Sequence, residues 1–327
     1  MIDIMKMFKA RMYMKRNEPF LYSWHAYVGY ELDLFKAFER PMTKFDVADA
    51  LQLDEDLLDQ WVSVGVSIGH LKEAGRERYK ISNAWKLPKP KGDNSSGVLL
   101  KEMMELHIPT LLSYPEMMRK QSRNHFDEEK HAPIVAETSR LLEVLALPKM
   151  AKIIRENKCQ TVLDIGCGEA GYILKLAERF PSTQFTGIEI SPTVTKTAKA
   201  NTQNNENIKI ENADLWSYHP TEQQDMVMMN NVIHYIDLAK RQELFTELAS
   251  WLNDDGILSV VTPIAGSVED PPFANVFNSF FSSFDNLYRL PTRAELAEWG
   301  EEAGLTMLGI RTVIKEGGWY IAEYQKR

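Results

Sequence analysis

The second half of the chain alternates between short apolar runs rich in β-branched residues and longer segments in which apolar residues recur at helical spacing. The runs predict strands over residues 160–165, 184–190, 208–213, 225–229, 256–262, 307–313 and 319–324. The helical spacing predicts helices over residues 172–180, 238–252 and 292–303, and a further helix that begins at Ser191. This alternation is typical of a mainly parallel sheet covered by helices on both faces. The predicted fold of this half is therefore α/β, with a doubly wound sheet of seven strands.

The N-terminal part of the chain shows helical spacing and one short alternating stretch. An amphipathic helix is predicted over residues 1–16, packing on the protein's own core or on a second subunit, and another helix over residues 21–40. Thr43 and Asp46 resemble a capping pair that opens a short helix. The next helix has a predicted buried stripe of Leu57, Leu58, Trp61, Val64, Ile68 and Leu71. The alternating stretch R-E-R-Y-K-I-S after Gly75 suits a β-wing, so this order of elements predicts a winged helix.

Between these two parts lies a connecting region. The stretch P-K-P-K-G-D-N-S-S, residues 88–96, is predicted to be a linker because of its proline, glycine and serine content. Long helices rich in Leu and Met are predicted over residues 98–122 and 132–156. We therefore expect an α-helical winged-helix domain over residues 1–95, connecting helices over 96–157 and the α/β domain over 158–327.

Composition narrows the possible partners. A formal charge of −8, from 38 basic and 46 acidic residues, opposes non-specific attraction to nucleic acid or anionic lipid. The helix that would enter a DNA groove begins with Asp54, Glu55 and Asp56, which phosphates would repel, so no nucleic-acid partner is expected. No apolar run approaches the roughly 20 residues that span a bilayer, so no membrane partner is expected. Only two cysteines are present, Cys159 and Cys167, which fits a reducing cytoplasm.

The stretch T-V-L-D-I-G-C-G-E-A-G-Y, residues 161–172, is the strongest candidate for a binding motif. An apolar run carries Asp164 into a turn with glycines at 166, 168 and 171, and a helical pattern follows. Glycine is needed where the turn requires backbone angles closed to other residues and where a ligand lies against peptide N–H groups at a helix N-terminus. Such turns also serve dinucleotides, or pack a strand on a helix without any ligand.

Polar residues follow each of the first four strands of this half, at the edge where ligands bind in parallel sheets. Glu189 lies 21 residues beyond Gly168, where an acid can accept hydrogen bonds from both hydroxyls of a ribose; a solvated acid at the strand end is the alternative. Asp214 suits an adenine amino group, with Leu215 or Trp216 against the ring, or else a turn. Asn230, Asn231 and His234 follow the fourth strand. The histidines show no metal-ligand spacing, so no metal site is expected.

With these residues in place, residues 160–262 resemble the class I S-adenosylmethionine-dependent methyltransferases. The resemblance rests on the glycine motif V-L-D-I-G-C-G-E-A-G and on the acidic-loop motif F-T-G-I-E-I-S. An NAD enzyme would more often show G-x-G-x-x-G and a further dinucleotide half. Many family members have a third glycine where this chain has Ala170, which is followed by Gly171. The resemblance implies a Rossmann-like sheet and S-adenosyl-L-methionine as the cofactor.

The winged helix, connecting helices and catalytic domain, in this order, are similar to the dimeric small-molecule O-methyltransferases of plant phenolic and bacterial polyketide pathways. The resemblance implies a homodimer, a small and largely apolar acceptor, and transfer to a hydroxyl or carboxyl oxygen. It implies that the cofactor-binding residues are Asp164, Gly166, Gly168, Gly171, Glu189, Ile190, Asp214, Leu215 and Asn230. The stretch V-I-H-Y-I-D-L resembles the family's V-L-H-D-W-S-D and implies His234 as the general base, although Tyr235 and Ile236 depart from that pattern.

Several alternatives stay open. Transfer to nitrogen, sulfur or carbon would make His234 less important, and a family member could bind the cofactor without transferring a methyl group. A ligand-responsive regulator with a DNA-binding winged helix is the alternative from another class. Glu295 and Asp270 are the nearest candidates for an acid that orients His234, but Thr292 to Glu295 reads as a capping box and D-P-P-F, from Asp270, as a proline-rich turn. The aromatic residues Phe273, Phe277, Phe280, Phe281, Phe284 and Tyr288 form either a core helix or an apolar lid.

Overall fold

The computed structural model describes residues 4–92, 95–266 and 270–327. The chain divides into two compact units, one formed by residues 1–109 and 131–141 and the other by residues 110–130 and 142–327. Residues 1–3 of the predicted N-terminal helix and residues 93–94 of the predicted linker lie outside the described residues.

The first unit contains helices around a three-stranded sheet. Its helices are α1 (Ile4–Glu31), α2 (Leu34–Ala37), α3 (Lys44–Leu51), α4 (Glu55–Ser67) and α5 (Gly97–Glu102). Its strands are β1 (Met42–Thr43), β2 (Leu71–Glu73) and β3 (Arg78–Ile81), which pair antiparallel in the order β1-β3-β2. The short helix, the longer helix and the following hairpin have the order of a winged helix, as expected.

Side-chain caps fix the beginnings of two of these helices. Thr43 accepts a hydrogen bond from the Asp46 N–H at 3.0 Å, and Asp54 accepts one from the Leu57 N–H at 2.9 Å. Helix α4 buries Leu58, Trp61, Val62 and Gly65. The predicted stripe was wrong at Leu57, which is 71% exposed, because the first turn of α4 directs it away from the core.

The N-terminal helix differs from its predicted bounds. Instead of two helices over 1–16 and 21–40, α1 continues through Pro19 and ends at Glu31. It ends there because Asp33 adopts a left-handed backbone, with φ of 53°, before the short helix α2. Residues 4–22 of α1 are exposed, so this part does not pack on the core of the chain itself.

The connecting helices agree with the sequence only in part. The predicted helix over 98–122 is divided into α5, a π-helical turn at Met103–His107, α6 (Ile108–Leu112) and α7 (Tyr114–Lys120). Pro109 and Pro115 lie at these breaks, where proline removes a backbone donor. The second predicted helix is α8 (Glu128–Asn157), which begins four residues earlier because Asp127 caps it by accepting from the Lys130 N–H at 3.0 Å. Among the described helices, none is long and apolar enough to cross a membrane.

The second unit is built on a seven-stranded sheet of order β6-β5-β4-β7-β8-β10-β9. The strands are β4 (Thr161–Ile165), β5 (Gln184–Glu189), β6 (Ile208–Asn212), β7 (Gln224–Asn230), β8 (Leu252–Pro263), β9 (Leu305–Ile314) and β10 (Trp319–Lys326). The first five pair in parallel, while β10 lies antiparallel between β8 and β9. The chain leaves β4 toward β5 on one side and continues through β7 on the other, so the strand order reverses between β4 and β7.

Helices cover both faces of this sheet. They are α9 (Gly171–Arg179), α10 (Pro192–Thr202), α11 (Arg241–Ser250), α12 (Pro272–Phe281) and α13 (Arg293–Glu302). One core cluster includes Val162, Met226 and Met228, and the opposite cluster includes Leu163 and Val227, which is the alternation expected along buried strands. The predicted α/β, Rossmann-like, doubly wound fold is confirmed. The predicted helix over 238–252 was too long, because it begins as a 3₁₀ turn at Leu238–Lys240 and β8 starts at Leu252.

Candidate functional site

The turn between β4 and α9 has an unusual backbone. Gly166, Gly168 and Ala170 have φ of 64°, 56° and 67°, so three of its residues adopt the left-handed conformation. A side chain in this conformation costs about 1–2 kcal/mol, which glycine avoids and which the fully buried Ala170 accepts. Ala170 therefore adopts a backbone conformation that glycine usually provides, and α9 begins directly after it at Gly171.

Glu189, the last residue of β5, connects this turn to the next helix. Its Oε2 accepts a hydrogen bond from the Gly168 N–H at 3.2 Å, and its Oε1 accepts from the Ser191 N–H at 2.9 Å. Ser191 in turn caps α10 by accepting from the Val194 N–H. The Glu189 carboxylate is thus fixed in place, and each of its oxygens keeps a lone pair for a ligand hydroxyl. Ile190, beside it, is 64% exposed and presents an apolar side chain at the same strand edge.

Asp164 and Asn230 meet at the ends of the neighbouring strands β4 and β7. Asp164 is 1% exposed, and its Oδ1 accepts a hydrogen bond from Asn230 Nδ2 at 3.0 Å. Burial holds the pKa of Asp164 well above its usual value; the Asn230 hydrogen bond opposes this shift, and the charges of Glu143 and Glu189 add to it. The Oδ1 atom of Asn230 is buried without a hydrogen-bond partner. Two of the predicted site residues are therefore in direct contact, with an acceptor left over.

Asp214 follows β6 by two residues, in a turn. Its Oδ1 accepts a hydrogen bond from the Trp216 N–H at 3.0 Å, so one carboxylate oxygen serves the turn. Leu215 and Trp216 are half-buried against the core cluster on one face of the sheet, and the Lys240 ammonium lies 4.9 Å from the centre of the Trp216 ring. The turn role that the sequence left open is present, together with the apolar neighbours that an adenine ring would need.

His234 lies in a 3₁₀ turn, Ile233–Tyr235, just after β7. Its ring stacks on Phe281 of α12 with 4.2 Å between the ring centres, and its Nδ1 is buried without a hydrogen-bond partner. Burial and, to a smaller extent, the nearby charge of Arg241 lower the pKa of His234 to about 3. The imidazole is therefore neutral near pH 7 and has a lone pair available.

Arg241, at the start of α11, is the charged group that lowers the pKa of His234. It is fully buried, with its Nε donating to the Ile236 carbonyl at 3.1 Å and its Nη2 donating to the Arg289 carbonyl at 2.8 Å. Its Nη1 is buried without a partner. Burial lowers the pKa of Arg241 to about 10, so the guanidinium keeps its positive charge near pH 7.

Glu295 and Asp270, the two acids considered as partners for His234, lie near the beginnings of α13 and α12. Glu295 completes the capping box of α13, accepting from the Thr292 N–H at 2.9 Å, and accepts from Arg289 Nη1 at 3.0 Å. The Arg289 hydrogen bond lowers the pKa of Glu295 to about 2. Asp270 lies in the turn before α12, where Pro271 is the N-cap. The structure therefore gives Glu295 the structural role that its T-x-x-E spacing predicted.

Four contributors to this edge of the sheet were not singled out from the sequence. Val232 closes over Gly166, and Trp319 of β10 donates a hydrogen bond from Nε1 to Asn231 Oδ1 at 3.0 Å. Arg241 and Glu143 are the other two, and Glu143 comes from α8, outside the α/β alternation. Local pattern carried no signal for them because each reaches the site through long-range packing. Within the described residues, no three His, Cys, Asp or Glu side chains converge as ligands for a metal ion.

Comparisons with known families and curated proteins find a family and several relatives that part of this chain resembles. Residues 162–256 match the family model described as a methyltransferase domain. Trans-aconitate 2-methyltransferase from Escherichia coli is 28% identical over 139 residues, which cover 42% of this chain and 48% of that protein. Malonyl-[acyl-carrier protein] O-methyltransferase 1 from Ilyobacter polytropus is 29% identical over 106 residues, covering 32% of this chain and 39% of that protein. The chain thus matches half or less of the length of these relatives.

Solved structures match almost the whole chain. Mitomycin 7-O-methyltransferase has a TM-score of 0.77 at 16% identity, covering 98% of this chain and 100% of that one. Human N-acetylserotonin methyltransferase has a TM-score of 0.75 at 15% identity, covering 97% of each chain. A putative O-methyltransferase from Nostoc punctiforme has a TM-score of 0.77 at 18% identity, covering 97% of this chain and 99% of that one. The chain therefore has the fold of the class I methyltransferases, in which an N-terminal helical region precedes the sheet in the sequence.

The glycines of the turn differ in the space around them, which predicts different effects on stability. A Cβ at Gly166 would lie 2.7 Å from Val232 Cγ2, whereas a Cβ at Gly168 would meet no atom within 4 Å. Gly168→Ala should lower the free energy of unfolding by about 1–2 kcal/mol, the cost of a left-handed alanine. Gly166→Ala should cost about 1–3 kcal/mol more, because Val232 must move. Urea unfolding of both variants measures the difference, and equal losses would contradict the close approach of Val232.

Proposed function

We propose that this chain is an S-adenosylmethionine-dependent methyltransferase that acts on an oxygen of a small, largely apolar molecule. The observation that carries the proposal is the turn after β4. Its left-handed residues leave the N-terminus of α9 accessible to a ligand, and Glu189 accepts a hydrogen bond from the Gly168 N–H. This turn lies within the residues that match the methyltransferase domain. When bound, S-adenosylmethionine supplies a methyl group already activated by its sulfonium.

The residues around the turn fit this cofactor. Gly166, Gly168 and Gly171 would let the ligand lie against backbone, and Glu189 would accept from the ribose hydroxyls. Ile190, Asp214 and Leu215 would surround the adenine, which agrees with the 64% exposure of the Ile190 side chain. Asp164 and Asn230 would lie beside the methionine part, where Asn230 Oδ1 is a buried acceptor without a partner.

The proposed acceptor site centres on His234. The imidazole is neutral near pH 7, and its lone pair can take a proton from an acceptor hydroxyl, which is the step that a general base performs in oxygen alkylation. Burial and the charge of Arg241 lower its pKa and make it a weak base in the free protein. Phe277 and Phe281 of α12 supply an apolar surface, and Phe281 stacks directly on the His234 ring, whereas Phe280 of the same helix is buried in the core. This surface suits a planar or acyl acceptor.

A second candidate is transfer to an acceptor that needs no base, such as a carboxylate oxygen, or to nitrogen or sulfur. The observation that favours it is the positive charge of Arg241, which lowers the pKa of His234 and disfavours an imidazolium. An acceptor that arrives as an anion would be attracted by the same charge. Under this second candidate, His234 would orient the acceptor as a hydrogen-bond donor.

We also infer that the chain forms a homodimer through α1. Its N-terminal part exposes large apolar side chains, with Ile4, Phe8 and Met14 exposed by 84%, 69% and 75%. Apolar surface of this extent is usually covered by a partner, and a second copy agrees with the similarity to dimeric O-methyltransferases.

Cys159 and Cys167 are both buried free thiols, which supports a reducing, cytoplasmic compartment.

The cofactor assignment is tested by calorimetric titration of the purified chain with S-adenosylmethionine, with NADH as the control ligand. We expect micromolar binding of S-adenosylmethionine alone, because the turn opens with D-x-G-x-G and lies inside the matched domain. Binding of NADH instead would overturn the assignment, as would the absence of any binding.

The role of His234 is tested by comparing His234→Ala with His234→Gln. A general base should lose about two to four orders of magnitude in kcat in both variants, with the affinity for S-adenosylmethionine kept. An orienting donor should keep most of its activity in the Gln variant, because the amide still donates a hydrogen bond. Near-normal turnover of both variants would remove His234 from the mechanism.

The dimer is tested by light scattering on the wild type and on Phe8→Glu. We expect a mass of about twice the 37.6 kDa of one chain for the wild type, and a lower mass for the variant because a charge would be buried at the interface. Asn17→Glu adds the same charge at an exposed polar position of α1 and should leave the dimer intact. A monomeric wild type would contradict the inference.

A further inference from the structure

The carboxylate of Glu143 packs against Gly171, the first residue of α9. Glu143 belongs to the part of α8 in the second unit and is 7% exposed. A Cβ added to Gly171 would lie 2.5 Å from Glu143 Oε2, so the missing side chain of Gly171 makes room for this carboxylate. An acid from outside the strand and helix alternation therefore reaches the glycine turn.

The ionisable groups around this carboxylate are mostly acidic. On the outer side, Lys175 of α9 forms an ion pair with Glu143 Oε2 at 2.8 Å. The charge of Glu143 raises the pKa values of Asp164 of β4 and of Tyr172, and Glu189 of β5 acts on Asp164 in the same direction. Three carboxylates face one ammonium group, which leaves a place for positive charge.

Two uncharged atoms in the same place lack partners. The hydroxyl of Tyr172, a residue that is 7% exposed, is buried without a hydrogen-bond partner. Burial raises the pKa of Tyr172, and the charges of Glu143 and Asp164 raise it too, so this hydroxyl lies near both carboxylates. The buried Oδ1 of Asn230, whose amide group binds Asp164, also has no partner. Buried polar atoms are normally paired, so these two oxygens indicate a missing donor.

We propose that Glu143 is a cofactor-binding residue, and that its carboxylate and that of Asp164 together hold the α-ammonium group of S-adenosylmethionine. The inference rests on the proposed function and adds a residue outside the motifs that suggested it. An ammonium group has three donors and a positive charge, which matches the carboxylates and the two unpartnered oxygens. In the free protein, Lys175 is the counter-ion of Glu143.

The same arrangement links cofactor binding to proton release. In the free protein, burial raises the pKa of Asp164, and Glu143 and Glu189 raise it further, so Asp164 binds a proton more readily than an exposed carboxyl group does. An arriving ammonium group favours the ionised form and lowers that pKa. Binding should therefore release protons, and affinity should rise with pH in the range where Asp164 is partly protonated.

The test compares three ligands in calorimetry: S-adenosylmethionine, S-adenosylhomocysteine and 5′-methylthioadenosine, which lacks the ammonium group. Glu143→Gln should weaken the first two by about 10- to 100-fold, because a charged hydrogen bond is lost, and should leave the third unchanged. Glu156→Gln is the matched control, since Glu156 lies on the same helix with its side chain 56% exposed. Equal weakening of all three ligands, or of none, would overturn the proposal.

Lys175→Met distinguishes a ligand-binding role of Glu143 from a purely structural ion pair between α8 and α9. If Glu143 binds the ligand, removing its counter-ion should keep or strengthen binding of S-adenosylmethionine; if the Glu143–Lys175 pair only ties α8 to α9, both variants should weaken binding and stability alike. Titration over a series of pH values, at each pH in two buffers that differ in ionisation enthalpy, counts the protons released, and Glu143→Gln should release fewer. Unchanged release would overturn the proton linkage. A wild type that binds none of the ligands would instead refute the proposed function.

Discussion

The backbone must turn from β4 into α9 between Ile165 and Gly171, and this constraint organises the edge of the sheet. Left-handed angles at Gly166, Gly168 and Ala170 accomplish the turn. They also direct peptide N–H groups outward, where Glu189 takes one of them, and they leave Gly171 without a side chain under Glu143. The other contacts at this edge depend on that path, because an ordinary right-handed turn would direct both the donors and α9 elsewhere.

The two sides of the site carry different ionisable groups. Asp164, Glu189 and Glu143 cluster near β4 and β5, whereas beyond β7 the buried guanidinium of Arg241, with Arg289, Asp237 and Glu295 around it, acts on His234. A cationic cofactor and an acceptor that is, or becomes, negatively charged would each lie on the side that attracts it. Since burial removes much of the solvent screening, this separation of charge should orient both reactants more strongly than the same groups would on the surface.

The sequence predicted those features that depend on neighbours along the chain. The capping pair at Thr43 and the capping box at Thr292 were readable because their partners lie three residues away. The succession of strands along the chain and the polar residues at their ends followed from alternation, whereas the antiparallel position of β10 between β8 and β9 was not predicted. The exposure of Leu57, the continuity of α1 through Pro19 and the broken connecting helix were not readable, because packing decided them. Glu143 and Arg241 escaped notice for the same reason: burial and distant contacts give them their significance.

The position of β10 has a consequence for how this unit assembles during synthesis. Strand β9 is made before β10, yet β10 lies between β9 and β8, so β9 has no partner in the sheet until a later segment has been inserted. A ribosome delivers the parallel strands first, and β8 must keep an unpaired edge while α12 and α13 emerge. The local hairpin of β9 and β10 can form quickly and then dock as one piece. The last event in building the sheet is thus the closing of an exposed edge, the step at which a nascent chain is most prone to pair with a neighbour.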